Sequence, residues 1–378
     1  MKIIIFSTVY FPLVAGAEVA MKEITDRISD IEFHLICARV QKGLPSTERI
    51  GNVTVHRVGF GHPIDKFLLP FLGTWRALML PDSKQIKVVL SLMASYGGFT
   101  ALVYSKFRPD VKFLLNLQEG DPLEHYAKRA GRLRFLHGKV FERADAVTAI
   151  SRFLADWALK MGFKGTPEVV PNGADIVRFS KRISMERRSE LRTQFGFKDD
   201  DVALVTASRL SLKNGIDDLI RSLTHLPTNY KVLIAGDGED HEKLMSLTAQ
   251  KGLTERVVCI GKKSHEELPE ILQSADIFVR ASLSEGLGNS FLEALAAGLP
   301  IVGTPVGGIP DFLEDGLTGV FCQPRDPQSI AAAVKRIQEE PGLRERIVLQ
   351  GGMMVAQRFG WDEIASRTRT ILMNLETV

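Results

Sequence analysis

Cysteine is scarce in this chain of 378 residues: Cys37, Cys259 and Cys322 are an odd number, far apart, and form no CxxC pair. That argues against a disulfide framework or a zinc site and fits a reducing compartment. Long apolar runs are missing too. The best candidate, Phe67 to Leu80 (FLLPFLGTWRALML), is interrupted by Pro70, Gly73 and Arg76, whereas a helical span needs about 20 apolar residues. The opening MKIIIFSTVYFP is too short for a secretory leader, with Pro12 and Glu18 where a small-residue cleavage site is expected. It reads as a buried first strand. No D-x-D run and no His/Asp cluster offers a metal site, no stretch is biased enough to be disordered, and no internal repeat is present. A complete G-x-G-x-x-G is also absent: LIAGDGEDH (233–241) has Gly236 and Gly238 but His241 in third place. A nicotinamide oxidoreductase is therefore disfavoured.

What is present is an ordinary globular composition, 45% apolar and 25% charged, on a chain long enough for two or three domains. The net charge of +3 hides an asymmetry. Residues 1–180 carry 24 Lys/Arg against 17 Asp/Glu, and residues 181–378 carry 24 against 28. The first half should attract anions more than the second.

Short apolar runs bounded by turn residues recur along the chain. They are 2–7, 32–38, 53–58, 87–92, 112–117, 146–150 and 167–171, then 202–207, 231–236, 257–261, 276–281, 300–304 and 319–322. Runs that are apolar on both faces and alternate with helical patterns indicate parallel sheets covered by helices on each side. The rhythm breaks at 179–201 (FSKRISMERRSELRTQFGFKDDD), a charged linker leading into a short helix. The expected fold class is α/β, two doubly wound, Rossmann-like parallel-sheet domains in series over 1–178 and 179–359. Residues 361–376 form a last amphipathic helix that could pack on either domain.

Ligands of open α/β sheets bind outside the carboxyl ends of the strands, so four loops carry the candidates. In TVYFPLVAGAEVAMKEI (8–24), Ala15-Gly16-Ala17 enters a helix near Glu18, either a phosphate approach or a plain strand–helix turn. The 233–241 loop is the incomplete fingerprint above. ASRLSLKNGID (207–217) puts Arg209 and Lys213 four apart beyond a strand end, as a diphosphate clamp or as solvated surface charges. The most informative segment is ASLSEGLGNSFLEALAAGLPIVGTPVGGIPD (281–311). There Glu285 precedes Gly286, Leu287, Gly288 and Asn289 at a helix start, whose free N–H groups suit a phosphate. Glu293 follows amid Phe291, Leu292, Ala294 and Leu295, a setting in which a carboxylate needs a partner.

Taken together, these residues resemble glycosyltransferase family 4, retaining enzymes of the GT-B fold, over nearly the whole chain. The family's Glu-x7-Glu segment is similar to Glu285 to Glu293, continuing through Gly298-Leu299-Pro300. Its Gly-Arg-Leu–x-x-Lys-Gly element resembles Ser208-Arg209-Leu210 with Lys213-Asn214-Gly215. Its Pro-Asn-Gly-x-Asp element resembles Pro171-Asn172-Gly173-Ala174-Asp175 with Phe179, and its N-terminal loop resembles Ala15-Gly16-Ala17-Glu18. The resemblance implies two facing domains that close on the donor, with helix 360–378 crossing back to the N-terminal one. It implies that Arg209 and Lys213 bind the donor diphosphate, that Glu285 holds the transferred sugar and that Glu293 holds the ribose. Backbone around Ala15, Gly16 and Gly286 to Asn289 would complete that site, and Gly261, Lys262 and Leu268 in segment 261–268 would border the base. Where many members place a sugar-contacting His, this chain has Gln118, followed by Glu119, and these two are the expected acceptor or sugar contacts; Gln118 can hydrogen-bond but cannot shuttle a proton. His125 nearby is a weaker substitute.

The implied reaction moves a sugar from a UDP- or GDP-sugar to a hydroxyl of a growing or lipid-linked glycan, without metal or cofactor. The acceptor is expected on the N-terminal side. Residues 126–143 (YAKRAGRLRFLHGKVFER) hold six basic side chains and one acid, a basic amphipathic pattern that fits either an anionic membrane surface or a solvated helix over a normal core stripe. The stretch 67–80 reads as a second contact or an ordinary helix and loop. The expected location is cytoplasmic, with a peripheral contact on the inner membrane face as its extension. No recognisable nucleic-acid module is present. Two other readings stay open: a GT-B-like nucleotide-sugar epimerase, and a non-catalytic nucleotide-sugar or glycan-binding relative.

Overall fold

The computed structural model describes residues 1–13, 15–81, 83–121 and 134–377. The chain divides into two compact units, one of Met1–Asn172 with Trp361–Val378 and one of Gly173–Gly360. The seam lies ahead of the 178 expected from sequence, because hydrogen bonds to sequence-distant parts of the second unit hold 173–181 there. The Ala174 N–H donates to the Phe359 carbonyl (2.9 Å), and the Gln273 amide donates to the Phe179 and Lys181 carbonyls at 3.2 and 2.9 Å.

The first unit is built on an eight-stranded sheet. Its strands are β1 (Lys2–Phe6), β2 (Glu32–Ala38), β3 (Thr47–Ile50), β4 (Val53–Val58), β5 (Val88–Leu92), β6 (Lys112–Leu117), β7 (Ala146–Ala149) and β8 (Glu168–Val169). They lie in the order β3-β4-β2-β1-β5-β6-β7-β8. All neighbours are parallel except β3, which pairs antiparallel with β4. β3 (TERI) is a half-exposed edge strand of four residues, too short and too charged to stand out as an apolar run. The inner strands are buried on both faces, as their continuous Ile, Val and Leu runs require.

The helix Trp361–Thr377 packs in this unit. Trp361, Ile364, Ile371 and Leu372 join Ile3, Ile5, Met21 and Ile24 in one core. Polar ties flank that contact: Arg27 to Asp362 at 2.9 Å, Arg369 to Asp30, and Arg367 to the Val169 carbonyl at 2.8 Å.

The second unit carries β9 (Val202–Ala207), β10 (Tyr230–Ala235), β11 (Val257–Cys259), β12 (Ile277–Arg280), β13 (Ile301–Gly303) and β14 (Val320–Phe321). They form one sheet in the order β11-β10-β9-β12-β13-β14, parallel throughout. The charged stretch ahead of it does hold a helix, Met185–Gln194. That helix is fastened by Arg188 and Arg192, which share the Asp276 carboxylate at 2.7 and 3.1 Å.

The basic stretch 126–143 is described only from residue 134, where the helix Arg134–Arg143 begins; 126–133 and His125 lie outside the described residues. Within that helix Lys139 pairs with Glu142 (2.5 Å), and Arg143 pairs with Asp145 (2.7 Å). Among the described residues no helix is long and apolar enough to cross a membrane.

Candidate functional site

The strand order of the second unit fixes where a ligand should sit. The chain leaves β9 for β10 and β11 on one side, then returns to lay β12, β13 and β14 on the other. The loops after β9 and β12 therefore leave the sheet side by side at its switch point, where open α/β sheets bind ligands. Arg209, Lys213 and Glu285 lie on these two loops.

The loop after β9 is held by its neighbours. Ser208 N–H donates to the Ala235 carbonyl (3.1 Å) and Leu210 N–H to the Asp237 carbonyl (3.0 Å). A Cβ at Gly236 or Gly238 would collide with the Ser208 or Leu210 carbonyl. The near-match glycines thus serve close backbone packing. Gly215 adopts φ +62°, and a Cβ there would strike the Ala281 carbonyl. This close approach brings the two loops together, with the Leu283 N–H donating to the Lys213 carbonyl at 2.6 Å. Arg209 is exposed and Lys213 half-buried.

The loop after β12 opens the helix Asn289–Ala296 through Gly288, whose φ of +96° suits only glycine well. Glu285 is 8% exposed; its Oε1 accepts the Gly286 N–H at 3.2 Å, and its carbonyl accepts the Gly308 N–H at 3.1 Å. Its Oε2 lies 2.5 Å from Nη2 of Arg280, an ion contact without hydrogen-bond alignment. That same Nη2 donates to Oδ1 of buried Asn214 (2.8 Å), while Nη1 donates to Ser290 Oγ (2.9 Å). Asn214 in turn donates to the Arg209 carbonyl at 2.5 Å. One guanidinium therefore links the clamp loop, the Glu285 carboxylate and the helix start.

Arg280 is the residue that sequence reading passed over. The available signal was a charged residue closing an otherwise apolar strand, which demands buried partners. Glu293 is 7% exposed, and burial raises its carboxyl above the usual range, opposed by His265 and Arg280. Nδ1 of exposed His265 lies 3.6 Å from its Oε1, so the segment after β11 reaches this helix. In that segment Gly261 has φ +70°, Lys262 is exposed and half-buried Leu268 begins a helix.

The remaining candidates belong to the first unit. Ala15 and Gly16 are exposed at the start of the helix Gly16–Asp26, and a Cβ on Gly16 would meet nothing within 4 Å. The Glu18 carboxylate folds back to accept the Ala15 N–H at 2.8 Å, and burial raises its pKa. Gln118 forms a reciprocal amide pair with Asn172, at 3.0 and 2.7 Å. Glu119, 1% exposed, accepts N–H bonds from Ala94 (2.7 Å) and Gln118 (2.9 Å), and desolvation pushes its pKa up to about 7. Both oxygens serve the loops after β5 and β6.

Comparison with known proteins agrees with this geometry. The model for glycosyl transferases group 1 matches residues 187–351, and that for the glycosyl transferase 4-like domain matches 23–173. An uncharacterized glycosyltransferase of Methanocaldococcus jannaschii is 27% identical over 97% of both chains. N-acetyl-alpha-D-glucosaminyl L-malate synthase of Bacillus anthracis is 26% identical over 61% of this chain and 60% of its own. Among solved structures, Anabaena HepE in complex with UDP and glucose superposes with a TM-score of 0.82, at 20% identity over 99% of this chain and 100% of that one. Sucrose-phosphate synthase from Thermosynechococcus elongatus superposes with a TM-score of 0.83, at 18% identity over 99% of both chains. The two matched domains are the family 4 pairing of the GT-B fold, and this chain is a glycosyltransferase of that family.

Proposed function

We propose that the chain moves a sugar from a UDP- or GDP-sugar to a hydroxyl of a growing or lipid-linked glycan, with retention at the anomeric carbon. The observation that carries this reading is the junction of the two switch-point loops, fastened by the bond from Leu283 N–H to the Lys213 carbonyl. It sets Arg209 and Lys213 on the loop beside the one that carries Glu285 and opens the helix at Asn289. Cations and a helix N-terminus at one place suit a diphosphate. HepE, a relative in fold, is solved with UDP and with UDP-glucose, which supports the donor class.

In the reaction the bond between the anomeric carbon and the diphosphate oxygen breaks, and the acceptor oxygen bonds that carbon on the same face. The acceptor proton passes to the departing phosphate oxygen. Arg209 and Lys213 stabilise the charge developing there, and the Asn289 helix start adds its N–H groups. Glu285 holds the sugar hydroxyls and Glu293 the ribose, so the protein contributes mainly positioning. The nucleotide sugar is the substrate, and the reading invokes no metal or cofactor. The acceptor is assigned to the first unit, and a peripheral membrane contact would present lipid-linked glycans to it.

A thermal-shift panel of UDP-, GDP- and ADP-sugars on wild type and Lys213→Ala tests the donor reading. A ligand at 100 times its Kd should stabilise the fold by about 2.7 kcal/mol. Stabilisation by one nucleotide family, lost in the variant, supports it; no shift with any nucleotide sugar counts against it.

A further inference from the structure

The first unit exposes a continuous apolar ridge. On the helix Asp65–Leu78 and the turns flanking it, Ile64, Phe67, Phe71, Trp75 and Met79 recur every three or four residues, the spacing of one helix face. They are 54%, 55%, 69%, 60% and 58% exposed, and Phe60 just ahead is 78% exposed. The ridge runs about 22 Å at 1.5 Å per residue. The opposite face, with Leu69, Gly73, Thr74 and Ala77, is buried, and Gly73 and Thr74 pack on Thr100. The exposed aromatics are therefore not a misplaced core stripe. An apolar surface of this extent marks an interaction site.

Charge identifies the occupant. Between residues 59 and 80 the sole carboxylate is Asp65. It is buried, and its Oδ2 accepts the N–H groups of Phe60, Gly61 and His62 at 2.7, 2.8 and 3.1 Å. Among the described residues 59–80 the remaining charges are cationic: Lys66, whose ammonium lies 5.2 Å from the Phe67 ring, and half-buried Arg76, whose Nη2 also lies 3.0 Å from Nδ1 of His56; exposed Lys42 packs against Gly61. A two-fold contact between copies would bring cations to cations, with no carboxylate on the ridge to answer them. We infer that this ridge docks on an anionic lipid bilayer, the rings entering the headgroup and acyl boundary and Lys66, Arg76 and Lys42 meeting lipid phosphates. The helix lies in the interface plane, as an amphipathic element with aromatics on one side and cations beside them does. This inference gives the peripheral membrane contact a different set of residues from 126–143 and does not depend on the sugar-transfer reading.

Trp75 supplies the probe, because Trp157 and Trp361 are only 6% and 7% exposed. The full chain is mixed with vesicles of phosphatidylcholine alone or with phosphatidylglycerol added. The expected result is co-sedimentation and a blue shift of Trp75 emission with the anionic vesicles. The variant Phe60→Ser/Phe71→Ser should bind them about tenfold more weakly or worse with its Tm unchanged, and Lys66→Glu should weaken binding too. Nucleotide-sugar thermal shifts retained in these variants keep the donor reading separate from this one. Failure to bind either vesicle overturns the inference, as does undiminished binding by the double variant. A wild-type dimer that this variant renders monomeric overturns it in favour of a second copy, and a soluble acidic protein that competes for the ridge while vesicles do not bind overturns it in favour of that partner.

Discussion

Each unit holds a buried carboxylate in a loop after one of its strands, Glu119 in the first and Glu285 in the second, and the two are partnered differently. In the first, Glu119 sits at the end of β6 with backbone N–H groups as its partners, and its pKa rises to about 7. Neutral donors do not offset the desolvation of a charge, so the proton is retained more strongly. In the second, Glu285 faces a guanidinium, which also binds Asn214 and Ser290. A carboxylate paired with a fixed cation is kept in one place. What distinguishes the two is whether the partners are backbone of the carboxylate's own loops or a side chain shared between loops. Met93, beside the Ala94 donor, has φ 69°, so the loop that serves Glu119 is itself held in an uncommon conformation.

The strongest attack on this contrast is to remove Arg280. Arg280→Met should lower stability by about 3–5 kcal/mol, since it leaves Glu285 buried without its countercharge. Adding Glu285→Gln should recover part of that loss. Denaturant midpoints for the four proteins of this cycle check it, and strictly additive effects would show that the two residues do not act as a pair. Next, Lys213→Ala should reduce turnover by about 10²–10³-fold, the typical effect of losing one group that stabilises developing charge; steady-state kinetics with the donor found by the thermal-shift panel measure it.

The Glu119 prediction concerns pH. Its folded pKa, about 7, exceeds the ordinary value of 4.5, so between these values the native state binds more protons than the unfolded chain. Its contribution to stability is therefore complete below pH 4.5 and is lost as pH rises through 7, by about 3 kcal/mol in all. Chemical denaturation across this window should show that slope in wild type and not in Glu119→Gln. A shared slope would assign it to another group. The smallest effect is expected at the amide pair: Gln118→Ala leaves Asn172 without its buried partner and should cost about 1–3 kcal/mol. Asn172→Ala should cost a similar amount, and the double variant less than the two together.

Much of this protein was legible along the chain. Strands such as β2, β6 and β9 coincide with their apolar runs at both ends, because a strand buried on two faces must be apolar continuously. The loops carrying Arg209, Lys213 and Glu285 were also legible, since a strand end followed by glycine and a helix start is a local pattern. Edge strand β3 was not, because an exposed four-residue strand has no burial to impose a pattern on it. Neither were the partnerships. Arg280 lies 66 residues from Asn214 in sequence and yet bonds to it, and Gln118 finds Asn172 across 54 residues. Local patterning follows from periodicity and backbone conformation, which neighbouring residues set between them. Which buried charge meets which donor, and whether Phe71 and Trp75 face core or solvent, depends on how distant segments pack, and that is settled only when the sheet assembles.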